Sequence, residues 1–428
     1  MSKKIRLTEA ISIGIGGMVG GGIFAVLGLA VAFSKGGTPI AFLFAGILAL
    51  LTSYSYVKLS NTYPDRGGTV KFINQGFGKT IFSGGINNLL WVSYVIMLSL
   101  YASAFGSYAP NLLPFTGSEL DFHIYASAII ILASIINYYN IKVVGMIESY
   151  AVVIKLAILL AFICVGLYGL MGNPNLEQLS PENWEAPLQL LTGGMVIFVA
   201  YEGFELIANS APDIKNPEKN IPRAYYISII FVILLYIIIA VVTVGSLPFE
   251  QIKTAEDYVL AEAAKPMLGQ TGFTIITIAA LISTFSAINA SLYGGSRVSY
   301  EIAEDDELPH QFTYKLWNQP IGLLVTAILT LTLTNTLKLE SISTAGSVGF
   351  LFIFAMVNYV GYRLSKETKS VKTIPIIGFI LCTIATIVLL KQQFKSNRMG
   401  VIVAISIMVA CFLIEYIYKW TERKNSKK

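Results

Sequence analysis

The sequence predicts an all-α integral membrane protein of twelve transmembrane helices, two of them broken in mid-span. Three observations carry that prediction. Apolar residues make up 55% of the 428-residue chain and charged ones only 13%, about half the charge that a soluble protein carries. Uncharged apolar runs of about 18 residues or more, the length that crosses a hydrocarbon core as helix, recur along the chain. Two of those runs hold glycines or carboxylates that a continuous membrane helix accommodates only at a cost.

The spans are expected near 8–33, 38–59, 82–108, 124–139, 146–170, 189–210, 222–245, 271–299, 320–337, 343–364, 373–390 and 399–419. The basic start, residues 1–6, imitates a signal peptide with Ala30-Val31-Ala32 as its cleavage site. The length of the apolar run, its glycine cluster and the many spans after it make it a retained first span instead. Lysine and arginine concentrate on one side of this arrangement, from Lys3, Lys4 and Arg6 through Arg66, Lys142 and Arg223 to Lys372 and the basic tail. The opposite loops 109–122 and 171–187 have none. Both termini are therefore expected in the cytoplasm of a cell-membrane protein. Of the long connections, Pro248 to Leu268 has helical periodicity and is expected on the outer surface.

Several classes of function fall away. Cys164, Cys382 and Cys411 lie scattered in apolar segments, and His123 and His310 lie far apart, so neither a disulfide framework nor a metal site is expected. The net charge of +5 follows membrane topology and does not point to nucleic acid. No nucleophile–base pair stands out, so neither an enzyme nor a cofactor is expected.

Span one reads Ile11-Ser-Ile-Gly-Ile-Gly-Gly-Met-Val-Gly-Gly-Gly-Ile-Phe24. Each interior glycine costs a helix about 0.8–1 kcal/mol relative to alanine. Close packing through Gly16 and Gly20 explains one face of the cluster. Gly20, Gly21 and Gly22 run round the helix, which favours an unwound segment lining a cavity. Span six holds the matching irregularity, Val196-Ile-Phe-Val-Ala-Tyr-Glu-Gly-Phe-Glu205. Glu202 and Glu205 either tie neighbouring helices together or serve a transport path, Glu205 as a proton-binding or a structural carboxylate. Interrupted helices at corresponding positions of two halves are the mark of a transporter built from inverted repeats. Their free amides and carbonyls suit the carboxylate and ammonium of an α-amino acid.

Lys155 is the one basic residue in the apolar part of span five. Counting about 1.5 Å per residue from Glu148 places it roughly 10 Å inside the segment. It either snorkels toward the membrane surface or gains and loses a proton as its surroundings change.

Four stretches resemble the amino acid–polyamine–organocation superfamily, and within it the prokaryotic broad-specificity proton-coupled amino acid transporters. They are Gly16-Gly-Met-Val-Gly-Gly-Gly-Ile-Phe24, Phe198-Val-Ala-Tyr-Glu-Gly-Phe-Glu205, Asn216-Pro-Glu-Lys-Asn-Ile-Pro-Arg223, and Tyr293-Gly-Gly-Ser-Arg-Val-Ser-Tyr300 continuing to Asp306-Glu-Leu-Pro309. The resemblance implies a leucine-transporter-like five-plus-five inverted repeat within 1–364, with repeats near 8–170 and 189–364. Two additional helices and a cytoplasmic tail, 373–428, match by count alone. The resemblance places the substrate carboxylate at the amides of Gly21, Gly22 and Ile23, beside Gly20. It places the amino group at the carbonyls of Met18, Val199 and Glu202. Lys155 is implied to face the Gly16 carbonyl together with Ser283 or Ser286. Phe198, Tyr201 and Phe204 are candidate gates, and Tyr94, Met97 and Tyr101 weak candidates for the side-chain pocket. The implied activity is proton symport of neutral α-amino acids by alternating access. The alternatives are a cationic amino acid or polyamine carrier with Glu202 as counter-charge, and a non-transporting sensor.

Overall fold

A backbone inside hydrocarbon must satisfy its own polar groups, so the long apolar runs become helices. The computed structural model describes residues 4–139, 141–171, 174–316 and 319–425, without the side chains of 141–149, 174 and 422–425. Residues 1–3, the last residues of the basic tail and the side chains of Lys142 and Glu148 lie outside the described residues. Among the described residues, nine helices are long and apolar enough to cross a membrane. They are Thr38–Thr62 (span two), Ile81–Tyr108 (three), Leu120–Tyr139 (four), Ile141–Gly169 (five), Pro217–Ser246 (seven), Lys265–Glu304 (eight), Leu339–Arg363 (ten), Thr373–Ser396 (eleven) and Arg398–Asn425 (twelve). Span one is the bent pair Leu7–Met18 and Gly22–Ser34, at 47°, and span six the pair Pro187–Val196 and Phe198–Asn209, at 52°. The shorter apolar helix Ile321–Thr336 is span nine. The twelve segments expected from the sequence are present in order, and the arrangement is compatible with a leucine-transporter-type fold.

Several spans run a few residues beyond the expected ends, among them five, seven, eight, eleven and twelve. Span seven begins at Pro217 and carries Pro222 inside, because a proline in the first turn gives up an N–H that has no helical partner there. The segment before span eight forms two short helices, Phe249–Thr254 and Val259–Glu262, joined by the 3-10 turn Glu256–Tyr258. Glu250, Gln251 and Lys253 are exposed on it, while Ile252, Val259, Leu260 and Ala261 are buried. A break at Gly269, with φ +60°, separates it from the span proper. This segment lies on the far half of span one so closely that a Cβ on Gly28 would sit 2.0 Å from the Glu256 carbonyl oxygen. Partial burial raises the pKa of the Glu256 carboxyl, with the neighbouring Asp257 adding to it.

The bundle end that carries Lys4 and Asn425 is the proximal end; the other is distal. Spans one and six are tied at both ends. Proximally, Ile5 bridges Ile214, and Arg66 pairs with Asp213 at 3.3 Å. Distally, Lys35 bridges Trp184, and its ammonium meets Glu185 at 2.7 Å. Spans three and ten form the interior, 89% and 83% of their apolar windows buried, whereas spans eleven and twelve are buried only to 33% and 28%. Residues of spans one, three, six and eight line the central cavity.

Candidate functional site

The two broken spans meet backbone to backbone. Gly203 has φ +113°, and a Cβ there would lie 2.4 Å from the Gly17 carbonyl carbon. A Cβ on Gly17 would in turn lie 2.7 Å from the Gly203 carbonyl oxygen. Gly14, Gly16 and Gly17 are still helical, and the interruption is confined to Val19, Gly20 and Gly21. The glycine cluster thus serves both purposes weighed from the sequence: its first part packs, its second part breaks.

The freed carbonyls of span one already hold donors from the protein. Lys155, 1% exposed, gives its Nζ to the Gly16 carbonyl at 3.2 Å. The Tyr236 hydroxyl donates to the Met18 carbonyl at 2.7 Å and also approaches that of Ala200 at 3.2 Å. Ser283 donates to the Gly20 carbonyl and lies 3.4 Å from that of Val19. On span six, Ser343 and Ser347 each donate to the Val196 carbonyl at 2.8 Å, and the Ser347 oxygen accepts the Val199 amide at 3.1 Å. Glu205 accepts the Gly203 amide at 2.7 Å and lies 3.5 Å from the Tyr94 hydroxyl. Its carboxylate caps the irregular turn. Gly22 starts the second half of span one without a side-chain cap, so its first-turn amides point at the break unpaired by the helix.

A small cavity of about 30 Å³ sits at the crossing, walled by Gly16, Gly17, Tyr94, Tyr101, Glu202 and Ser286 among others. Through Leu206, Ala290 and Gly294 it shares walls with a vestibule of about 570 Å³. That vestibule reaches exposed Arg66 and Arg297 at the proximal end. Distally the molecule is filled: Phe24 meets Tyr108 edge-on at 6.1 Å, the Tyr108 hydroxyl donates to the Phe24 carbonyl at 3.4 Å, and Leu260 is fully buried. The structure is open proximally and closed distally.

The sequence-derived residues divide accordingly. Gly16, Glu202 and Ser286 line the cavity. Gly20, Gly21, Gly22 and Ile23 lie one step behind it, with the Tyr101 ring against Gly21: a Cβ there would be 2.4 Å from Tyr101 Cδ1. Met18 is buried beneath Tyr236. Phe198, Val199 and Tyr201 face away from the cavity, toward Phe354, Gly346 and the Phe42 carbonyl respectively. Phe204 lies against Phe354 and Tyr56 in the same aromatic layer. Met97 is buried and Tyr94 lines the cavity. Tyr236, Ser343 and Ser347 were not singled out from the sequence. The two serines, four residues apart in span ten, were the available signal, since that spacing sets both on one helix face.

Broken helices that cross in an apolar bundle, with a cavity at the crossing, define a membrane carrier. The chain matches the amino acid permease family model over residues 5–417 and belongs to that family. It is 31% identical to the inner membrane transport protein YbaT of Escherichia coli, over 98% of this chain and 97% of that one. It is 26% identical to the serine/threonine exchanger SteT of Bacillus subtilis, over 100% and 98%. Similarity to the chloroplastic cationic amino acid transporter 9 of Arabidopsis thaliana, at 27%, covers 73% of this chain and 57% of that one. The chain is an amino acid permease spanning the membrane many times.

The crossing generates a prediction. A side chain at Gly203 meets both a positive φ, worth about 1–3 kcal/mol of strain, and the backbone of Gly17. Gly203→Ala is expected to lower the melting temperature in detergent, while Gly294→Ala, whose methyl meets open space, is expected to preserve it. Equal melting of the two variants would refute the backbone contact as a constraint.

Proposed function

We propose that this permease carries neutral α-amino acids into the cell with protons, by alternating access, its proximal end facing the cytoplasm. The orientation is supported by the excess of lysine and arginine at that end. The observation that carries the coupling is the buried Lys155 ammonium against the Gly16 carbonyl, 3.2 Å away, one residue from the crossing. A buried ammonium is tolerable only while acceptors hold its protons. Movement of span one removes or restores that carbonyl, so the lysine keeps its proton in one access state and gives it up in the other. Substrate carboxylate binding is assigned to the Gly21, Gly22 and Ile23 amides, which requires Tyr101 to move aside. With the carbonyls of Gly16, Met18 and Gly20 engaged, the Glu202 carboxyl is an acceptor at the cavity wall that can receive the amino group.

That last feature also favours a second reading, transport of cationic amino acids, in which Glu202 meets a charged side chain. The relatives include a protein named for each substrate type.

Three outcomes test these readings in proteoliposomes. Lys155→Ala is expected to bind substrate yet lose the dependence of uptake on an inward proton gradient, and sodium to be without effect on the wild type. Gradient-driven accumulation with unchanged pH dependence in that variant would show the lysine to be a packing residue. Glu202→Gln, which keeps a carbonyl acceptor, is expected to weaken neutral substrates by no more than about tenfold, roughly the 1.4 kcal/mol by which a charge-assisted hydrogen bond exceeds a neutral one. Selective loss of lysine and arginine uptake would establish the cationic reading. The carboxylate site is tested with ligands, because a Cβ on Gly22 would lie 3.0 Å from Ala200 Cα and a substitution there would disturb spans one and six together. Decarboxylated analogues are expected to compete poorly; equal competition by an amino acid and its amine would remove the carboxylate site.

A further inference from the structure

A second opening lies on the other side of the first half of span one. A groove of about 400 Å³ runs between that helix and span five, lined by Thr8, Glu9, Ser12 and Ile13 and by Val152 and Val153. Ile13 also lines the vestibule, so the helix itself divides the two openings. Thr8, Glu9 and Ser12 are exposed. Thr8, Ser12 and Gly16 follow at four-residue spacing and share one face. The polar stripe therefore leads up the groove to Gly16, whose carbonyl holds Lys155. From Glu9 to Gly16 is about 10 Å of helix.

Their hydrogen bonds are local: Ser12 donates to the Thr8 carbonyl at 2.9 Å, and Glu9 accepts the Arg6 amide at 2.7 Å. They leave exposed oxygen along a flank that would otherwise be apolar. The inner end is closed by Val152, whose Cγ2 would lie 3.0 Å from a Cβ on Gly16. Val152 sits one turn before Lys155 on span five. Glu9 is the ionisable residue among the described groove walls, with Arg6 beside it. Glu202 and Glu205 lie toward the central cavity, across span one, and the side chains of Lys142 and Glu148 lie outside the described residues.

We propose that this groove is the path by which Lys155 exchanges its proton with solvent at the proximal end, with Val152 as the gate. A Lys155 N–H bond breaks, its proton passes to water in the groove and on to bulk solvent, and the lysine is left as a neutral amine. Substrate and proton then leave by separate openings on opposite flanks of one half-helix. The inference rests on the coupling role proposed for Lys155. Its test reads access to that position, which is measurable whether or not the lysine couples transport.

The experiment uses the full chain in phosphatidylethanolamine–phosphatidylglycerol liposomes, with Cys164, Cys382 and Cys411 replaced by serine and Lys155→Cys introduced. The probe is the charged thiol reagent 2-sulfonatoethyl methanethiosulfonate. Ser12→Phe, which fills the groove, is expected to slow modification about tenfold, and Val152→Ala to speed it severalfold, as steric crowding and its relief demand. Ala290→Leu, which narrows the vestibule, is expected to leave the rate unchanged. Should Ser12→Phe fail to fold, Ser12→Leu and the Val152→Ala acceleration decide. Slowing by Ala290→Leu alone would mean that the position is reached through the central cavity and would overturn the proposal. Modification by uncharged N-ethylmaleimide but not by the charged reagent would mean a lipid-filled groove and overturn it equally. Lys155→Ala uptake, measured separately, reports on coupling alone.

Discussion

The approach of Gly17 to Gly203 is the constraint on which the rest of the site depends. Two helices with side chains at the contact stay about 8–10 Å apart, axis to axis. Here neither position carries one, and backbone meets backbone. Only at that distance do the interruptions of spans one and six open onto a common volume. The positive φ of Gly203 follows from the same contact, since the chain must turn there to clear Gly17. Bending by 47° and 52° at these two places is then the local consequence of unwinding, and the terminal bridges Ile5–Ile214 and Lys35–Trp184 hold the two bent helices as a pair.

Unwinding inside a membrane leaves carbonyls that water cannot reach, and each must find a donor. Three separate spans supply them: Lys155 from span five, Tyr236 from span seven and Ser283 from span eight. Span ten does the same for span six through Ser343 and Ser347. These side chains fix the interruption in shape, which the cavity requires if it is to present the same groups to each substrate molecule. They also mean that a movement of span one is felt in spans five, seven and eight, because each has an acceptor on it. Packing and hydrogen bonding are in this sense one network around the crossing.

The twelve segments were legible because run length and charge density depend on composition alone, and the two breaks because six glycines and two carboxylates have no comfortable place in a continuous span. The partners of the breaks were much less so. Tyr236 is one of several tyrosines in apolar helices, and nothing local to it tells that it reaches Met18. Phe198, Val199 and Tyr201 share a motif with Glu202, yet the 3-10 turn through 198–201 sends Phe198 against Phe354, Tyr201 to the Phe42 carbonyl and Val199 against Gly346. Tyr101 was named from the sequence as a pocket candidate, but its position over Gly21 depends on how span three packs. The burial of Ile252, Val259, Leu260 and Ala261 in the distal segment was likewise decided by tertiary contacts.

The closed distal side and the open proximal side have a common physical origin in what each half of span one touches. Its second half lies under the distal segment, against Glu256, and beside Tyr108, in contacts without a gap. Its first half is held at Ile5, along span seven by the Ser228 and Tyr236 hydrogen bonds to Ile11 and Met18, by Lys155 at Gly16, and at the glycine contacts with Ile207, Ser228 and Gly203, while the flanks facing the groove and the vestibule stay open. The same half carries Gly16 at its inner end, so any displacement that closes or widens the vestibule also changes the distance from Gly16 to Lys155. Geometry alone therefore links the width of the proximal opening to the solvation of the buried Lys155.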